Sequence, residues 1–160
     1  MTEASIAQSE PVLVAIDIAK ARHEVLIAVP GRKRRRRLTV LNQLDDFNRL
    51  ISTLAEFARP VRIAFEATGN YHRALSYQLG VAGFDVKLVS SVALARTREA
   101  LNNSWDKNDP KDAQVILHMM QIRNEQFYHD PLLAERMIFR SCPKHTTSFR
   151  ARRLSFGTGS

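Results

Sequence analysis

Four carboxylates stand where they could act together. Asp17 lies near the end of the apolar run Val12-Leu13-Val14-Ala15-Ile16-Asp17-Ile18-Ala19-Lys20, and Glu66 closes Val61-Arg62-Ile63-Ala64-Phe65-Glu66. Asp109 and Asp112 are three residues apart in Lys107-Asn108-Asp109-Pro110-Lys111-Asp112-Ala113. An ionised Asp at the end of a strand buried on both faces is costly unless positive charge meets it. Two such acids on neighbouring strands, roughly 5 Å apart, repel and raise each other's pKa. A divalent cation reverses that penalty, and hard oxygen ligands in a shared cleft suit Mg²⁺, with Mn²⁺ as its substitute. Each acid also has a plainer role. Asp17 could cap a turn, Glu66 could meet the N-terminal dipole of a following helix, and Asp109 and Asp112 could be N-cap and N3 of a helix begun by Pro110. Taken together in one chain, the four point to a two-metal nuclease-type site.

The elements that must position them are legible in the apolar pattern. A short polar link, Lys20-Ala21-Arg22, leads to His23-Glu24-Val25-Leu26-Ile27-Ala28-Val29-Pro30, so the first two runs form an antiparallel hairpin. Leu38-Thr39-Val40-Leu41 is a third, edge strand. From Gln43 to Ala58, Leu44, Phe47, Leu50, Ile51, Leu54, Phe57 and Ala58 recur at helical spacing, and Arg59-Pro60 stops that helix. The strand ending at Glu66 turns through Ala67-Thr68-Gly69-Asn70 into a helix over 71–81, with Asn70 as its N-cap. Asp85-Val86-Lys87-Leu88-Val89 is a further strand, followed by a segment around Ala93-Leu94-Ala95-Arg96-Thr97-Arg98. Three meandering strands followed by helix–strand units make an α/β domain with a mixed sheet flanked by helices. If the strands ending in Asp17 and Glu66 are parallel neighbours, the pleat places Ala15 and Asp17 on one face, with Ala64 and Glu66 beside them.

Composition narrows the partner. The chain has 160 residues and 44% hydrophobic content, enough for one core. Lys and Arg number 24 against 16 Asp and Glu, a net +8 that favours a polyanion, nucleic acid first. The run Arg32-Lys33-Arg34-Arg35-Arg36-Arg37 is the densest positive stretch. It reads either as a phosphate-contacting patch or as a solvated turn guarding a sheet edge, because no aromatics are interleaved to stack on bases. No apolar run approaches the ~20 residues of a membrane span. One cysteine, Cys142, excludes an intrachain disulfide and a Cys-based zinc cluster, and a reducing cytoplasm is expected.

Three blocks carry a resemblance: Ala15-Ile16-Asp17-Ile18-Ala19-Lys20, Phe65-Glu66-Ala67-Thr68-Gly69-Asn70-Tyr71 and Lys107-Asn108-Asp109-Pro110-Lys111-Asp112-Ala113. They resemble, in order, the motifs of the DEDD transposases of bacterial insertion sequences, which are related to Piv-type invertases. Glu-Ala-Thr-Gly-Asn-Tyr is the most specific piece. The resemblance spans roughly Val12 to Pro131. It implies an RNase H-like, RuvC-like domain over 12–130 in which Asp17, Glu66, Asp109 and Asp112 hold Mg²⁺. It also implies a DNA partner, a guide RNA in some members, and homo-oligomers.

The resembled family continues into a long helical segment and a C-terminal domain supplying a nucleophilic serine. Residues 1–11 read as a disordered leader, and 131–160 as an irregular basic tail. Codons exist for 137–160 that, read two bases later, encode an amphipathic helix-former. A frameshifted, truncated transposase is therefore expected, inactive alone; a disordered nucleic-acid-binding arm is the other reading of the tail. Ser141, Ser148 and Ser155 have no nucleophile context. Two other functions fit less of the sequence: a free-standing junction resolvase, which lacks a use for the Glu66–Tyr71 block, and an inert nucleic-acid-binding module. A sugar-kinase or actin-like half would need a Gly-rich turn after Asp17, and Ile18-Ala19-Lys20 is none.

Overall fold

The computed structural model describes residues 10–67, 69–101, 111–122 and a two-residue strand at 127–128. The apolar runs become β1 (Val12–Asp17), β2 (Arg22–Ala28), β3 (Arg36–Leu41), β4 (Val61–Glu66), β5 (Asp85–Val89) and β6 (Phe127–Tyr128). The helices are α1 (Leu44–Ala55), α2 (His72–Val81), α3 (Ser91–Ala100) and α4 (Lys111–Gln121). One sheet holds the strands in the order β3-β2-β1-β4-β5-β6. β1 and β2 are antiparallel, as are β2 and β3, whereas β1–β4 and β4–β5 are parallel. A three-strand meander extended by parallel crossover strands, with helices on both faces, is the RNase H-like arrangement.

The pleat divides the core in two. Val12, Val14, Ile16, Val25, Ile27, Ile63 and Phe65 pack beneath α1 and α2, against Phe47, Leu50, Leu54, Leu75 and Leu79. The alternate positions Ala15, Leu26, Ala64 and Val89 pack with Leu94 of α3 and with Ala113, Val115, Ile116, Leu117, Met119 and Met120 of α4. Ala15 and Ala64 are register partners at the centre of the sheet. Two adjacent methyl side chains leave room for α4 to lie close on β1 and β4. On the opposite face large side chains fill the same depth.

Several boundaries differ from the sequence pattern, each for a local reason. α1 ends at Ala55, and Phe57 and Ala58 close it with N–H bonds to the carbonyls of Leu54 and Ala55, both 3.3 Å. Phe57 thus reaches the core from a turn, with Ala58 at φ 49°. β3 starts at Arg36 rather than Leu38, because Arg36 and Arg37 pair with Ile27 and Leu26. β1 stops at Asp17, although Ile18 remains buried. Asn70 does not cap α2: the N-cap is Tyr71, without a side-chain cap bond, and Asn70 contributes only its carbonyl, to the Arg73 N–H. β6, antiparallel to β5, is too short to show any periodicity in the sequence. The end of α2 follows a Schellman pattern: Gly83 at φ 91° bonds to the Gly80 carbonyl, and Phe84 to that of Leu79. Residues 1–9 of the leader, the tail, Asp109 and Pro110 lie outside the described residues.

The β3–α1 junction is held by a buried acid that periodicity alone does not reveal. Asp46, at the third position of α1, accepts the Leu41 N–H at 2.8 Å, an amide N–H of Gln43 at 3.2 Å and a guanidinium N–H of Arg49. The Leu41 bond first, and then those from Arg49 and Gln43, hold its carboxyl below the ordinary carboxylate range. A depressed folded pKa makes this contribution to stability complete above the ordinary value near 4 and removes it as pH falls further. Asp46→Asn is therefore expected to lower Tm at neutral pH, with the difference from the parent closing below about pH 4. Thermal melts across pH check this; a constant difference would exclude a charge effect.

Candidate metal centre

Parallel pairing of β1 with β4 runs from Val12–Val61 to Ile16–Phe65, so Asp17 and Glu66 follow side by side at the carboxyl ends of two central strands. Both lie two positions beyond an Ala of the α4-covered face, so the pleat puts them on that face. Antiparallel pairing places Glu24 of β2 opposite Asp17. Asp112 is in the first turn of α4, the helix lying over Ala15 and Ala64. The central packing therefore brings the start of α4 to the end of β1.

The charges respond to this placement. Asp17 is half-buried, and its carboxyl is pushed up to about 6 by burial first, then by Asp112, Glu66 and Glu24; Arg98 opposes the shift. Three carboxylates thus bear on one. Glu24 is already engaged: it accepts from Arg37 at 3.3 Å and from Thr39 at 3.1 and 3.2 Å on β3. Asp112 accepts a 2.5 Å bond from Arg98 of α3. Among the described residues no three Asp, Glu, His or Cys side chains are placed to hold a metal ion together. The donors nonetheless have the right chemistry, because hard carboxylates outnumber the one guanidinium, that of Arg98, among the described groups that act on this half-buried acid.

The turn that follows Asp17 is braced from below. His23 is fully buried, stacks on Phe47 at 6.1 Å between ring centroids, and accepts the Ala19 N–H through Nδ1 at 3.3 Å. Burial lowers its pKa, so the ring is neutral and Nδ1 can accept. Asn42 adds an amide bond to the Lys20 carbonyl at 3.0 Å and a backbone bond to Ala21. The sequence marks His23 only as the start of a strand.

The basic run is not part of this centre. It enters the sheet at the far end of β2, where the Ile27–Arg36 pair lies. All six of its residues, Arg32 to Arg37, are exposed. Arg32, Lys33 and Arg35 line a 420 Å³ cleft with Arg62, Glu10 and the Met120–Gln121 end of α4. Arg62, which the sequence does not single out, is paired with Asp85 at 3.2 Å, and Lys87 shares that carboxylate. Only Arg37 turns towards the acids, through Glu24. The length of α4, 11 residues, separates the two sites by roughly 16 Å.

Comparison with known proteins places the chain in a family. The model of the IS110-type DEDD transposases, described as a transposase, matches residues 14–135. The chain belongs to that family. It is 28% identical over 128 residues to the "Mini-circle putative transposase for IS117" of Streptomyces coelicolor, a match covering 78% of this chain and 30% of that protein. The chain thus spans about a third of the length of this relative. Two solved structures of the Thermus thermophilus protein RuvC are similar in outline. The one in complex with Holliday junction substrate has a TM-score of 0.47 at 14% identity, covering 74% of this chain and 98% of that one. The other has a TM-score of 0.45 at 16% identity, covering 72% and 98%. Among the described residues no helix is long and apolar enough to cross a membrane.

The raised pKa gives Asp17 a definite sign. Its folded value of about 6 lies above the ordinary 3.8, so the folded state binds the proton more tightly. Ionisation then costs stability as pH rises from about 4 to about 6, on the order of 2 kcal/mol after allowance for solvent screening. In metal-free buffer, Asp17→Asn is expected to raise Tm by several degrees near pH 7.5 and to lose that advantage near pH 4. Melting curves at both pH values decide it. An equal gain at both would assign the effect to packing.

Proposed function

We propose that this chain forms a metal-dependent DNA phosphodiester centre in which Asp17, Glu66, Asp109 and Asp112 hold Mg²⁺. The observation that carries the reading is the concentration of carboxylate around Asp17, from β4, from α4 and from the opposing β2. Family membership supplies the reaction class, DNA strand cleavage and joining. Asp17 and Glu66 are the rigid half of the donor set, fixed by pairing at the sheet centre. Asp112, on α4, is delivered by the other layer; Asp109 completes the set by its place in the motif and lies outside the described residues. Bound divalent metal would activate a nucleophilic oxygen and stabilise charge on the phosphate. The protein's part is to orient the carboxylates: pairing fixes two of them, and the Ala15–Ala64 contact sets how near α4 comes.

Metal binding is the direct test. Mg²⁺ or Mn²⁺ is expected to raise the Tm of the 160-residue chain, since a ligand binding only the folded form stabilises it. Asp17→Ala should abolish most of that rise. A rise of the same size in Asp17→Ala would refute the assignment.

DNA is the polyanion, and the cleft at the other end of α4 is its backbone-binding surface. Arg32, Lys33, Arg35 and Arg62 line it, with Glu10 the one carboxylate among the described lining residues. Replacing Arg32, Lys33 and Arg35 together with Ala should flatten the dependence of log K on log salt, by roughly 0.9 for each phosphate no longer neutralised. Binding measured from about 50 to 200 mM salt gives the slope. An unchanged slope makes these residues a solvated turn.

A further inference from the structure

Arg98 has no assigned part in the centre, yet it is the cation that bears on it. It projects from α3, donates to Asp112 at 2.5 Å, and among the described residues is alone in favouring the ionised form of Asp17. A guanidinium bound to one carboxylate and felt by a second occupies, electrically, the position of a metal ion. It cannot match one, because a single delocalised charge offers hydrogen bonds where a divalent ion offers coordination.

We propose that Arg98 is a tethered counter-ion that competes with the divalent metal for Asp112. Without metal, it neutralises part of the carboxylate charge and ties α3 to the start of α4. Metal loading then requires Asp112 to exchange that bond for a metal bond, so Arg98 lowers the apparent affinity of the site. The competition works because the pair is reachable: Arg98 and Asp112 keep 45% and 36% of their side-chain surface exposed. A fully buried pair could not open to admit a hydrated ion without a much larger penalty. Arg96, two residues away on α3, is exposed as well and provides an internal comparison of equal charge.

The inference rests on the metal-centre reading, and its test separates the two. Mn²⁺ affinity of the 160-residue chain would be measured by calorimetry or by electron paramagnetic resonance of the free ion. The variants are Arg98→Ala, Arg98→Gln, Arg98→Lys and Arg96→Ala, with circular dichroism confirming that each folds. Arg98→Ala and Arg98→Gln should bind roughly tenfold more tightly, the scale of one charge-assisted hydrogen bond. Arg98→Lys should stay near the parent affinity, and Arg96→Ala should shift it little because that charge is screened. Equal affinity in the parent and both neutral Arg98 variants overturns the competition and leaves the metal centre standing. So does weaker binding in both, which would make Arg98 a support for Asp112. An Arg96→Ala gain as large as that of Arg98→Ala reduces the effect to net charge and overturns the competition as well. Binding by none of the proteins removes both readings.

Discussion

The close approach of α4 to the paired alanines of β1 and β4 is the constraint on which the rest depends. Ala15 and Ala64 face each other in register, and α4 packs over them with Ala113 and Ile116 in the same cluster. Larger side chains would lift the helix and carry Asp112 away from Asp17, since a close-packed interior has no slack to absorb extra methylenes. The same two strands end in Asp17 and Glu66. Small residue, intervening residue, acid: that short pattern sets both the depth of a helix and the position of a carboxylate.

Much of this is legible because strands and helices write their periods into the sequence. Strand β1 is readable as a near-continuous apolar run and β4 and β5 as short β-branched and apolar-rich stretches, and the parallel pairing of β1 with β4 follows from the crossover helix. The location of Asp17 and Glu66 at adjacent strand ends needs only the pleat. Other features involve groups that meet across distances no local pattern encodes. Nothing in the neighbourhood of Arg98 announces Asp112, and Arg62 is indistinguishable in sequence from any other strand arginine. Asp46 lies three residues after the N-cap Gln43, a spacing that could have signalled its capping role. The basic run illustrates the opposite failure. As a string it is uniform, but the fold divides it into residues at a distal cleft and one, Arg37, engaged with Glu24.

Charge in this molecule is arranged by pairing more than by quantity. Glu24 is shared by Arg22, Arg37 and Thr39, and Asp85 by Arg62 and Lys87. These surface groupings are worth little individually to stability. Asp17 differs because burial removes solvent and its nearest influences are predominantly acids. A site kept electrostatically uncomfortable in this way is one that a strongly charged ligand can relieve.

The separation along the chain of the parts meeting at Asp17 has a kinetic consequence. β1 and β2 are joined by a tight hairpin and can pair as soon as both exist, whereas α4 begins ninety-four positions after the end of β1. Contacts between segments so distant close late, after the entropy of a long loop has been overcome. During synthesis the alanine face of the sheet therefore lacks most of its cover until α4 emerges. The docking that buries it is the same event that brings Asp112 to the end of β1, so these acids meet only after the sheet centre has formed.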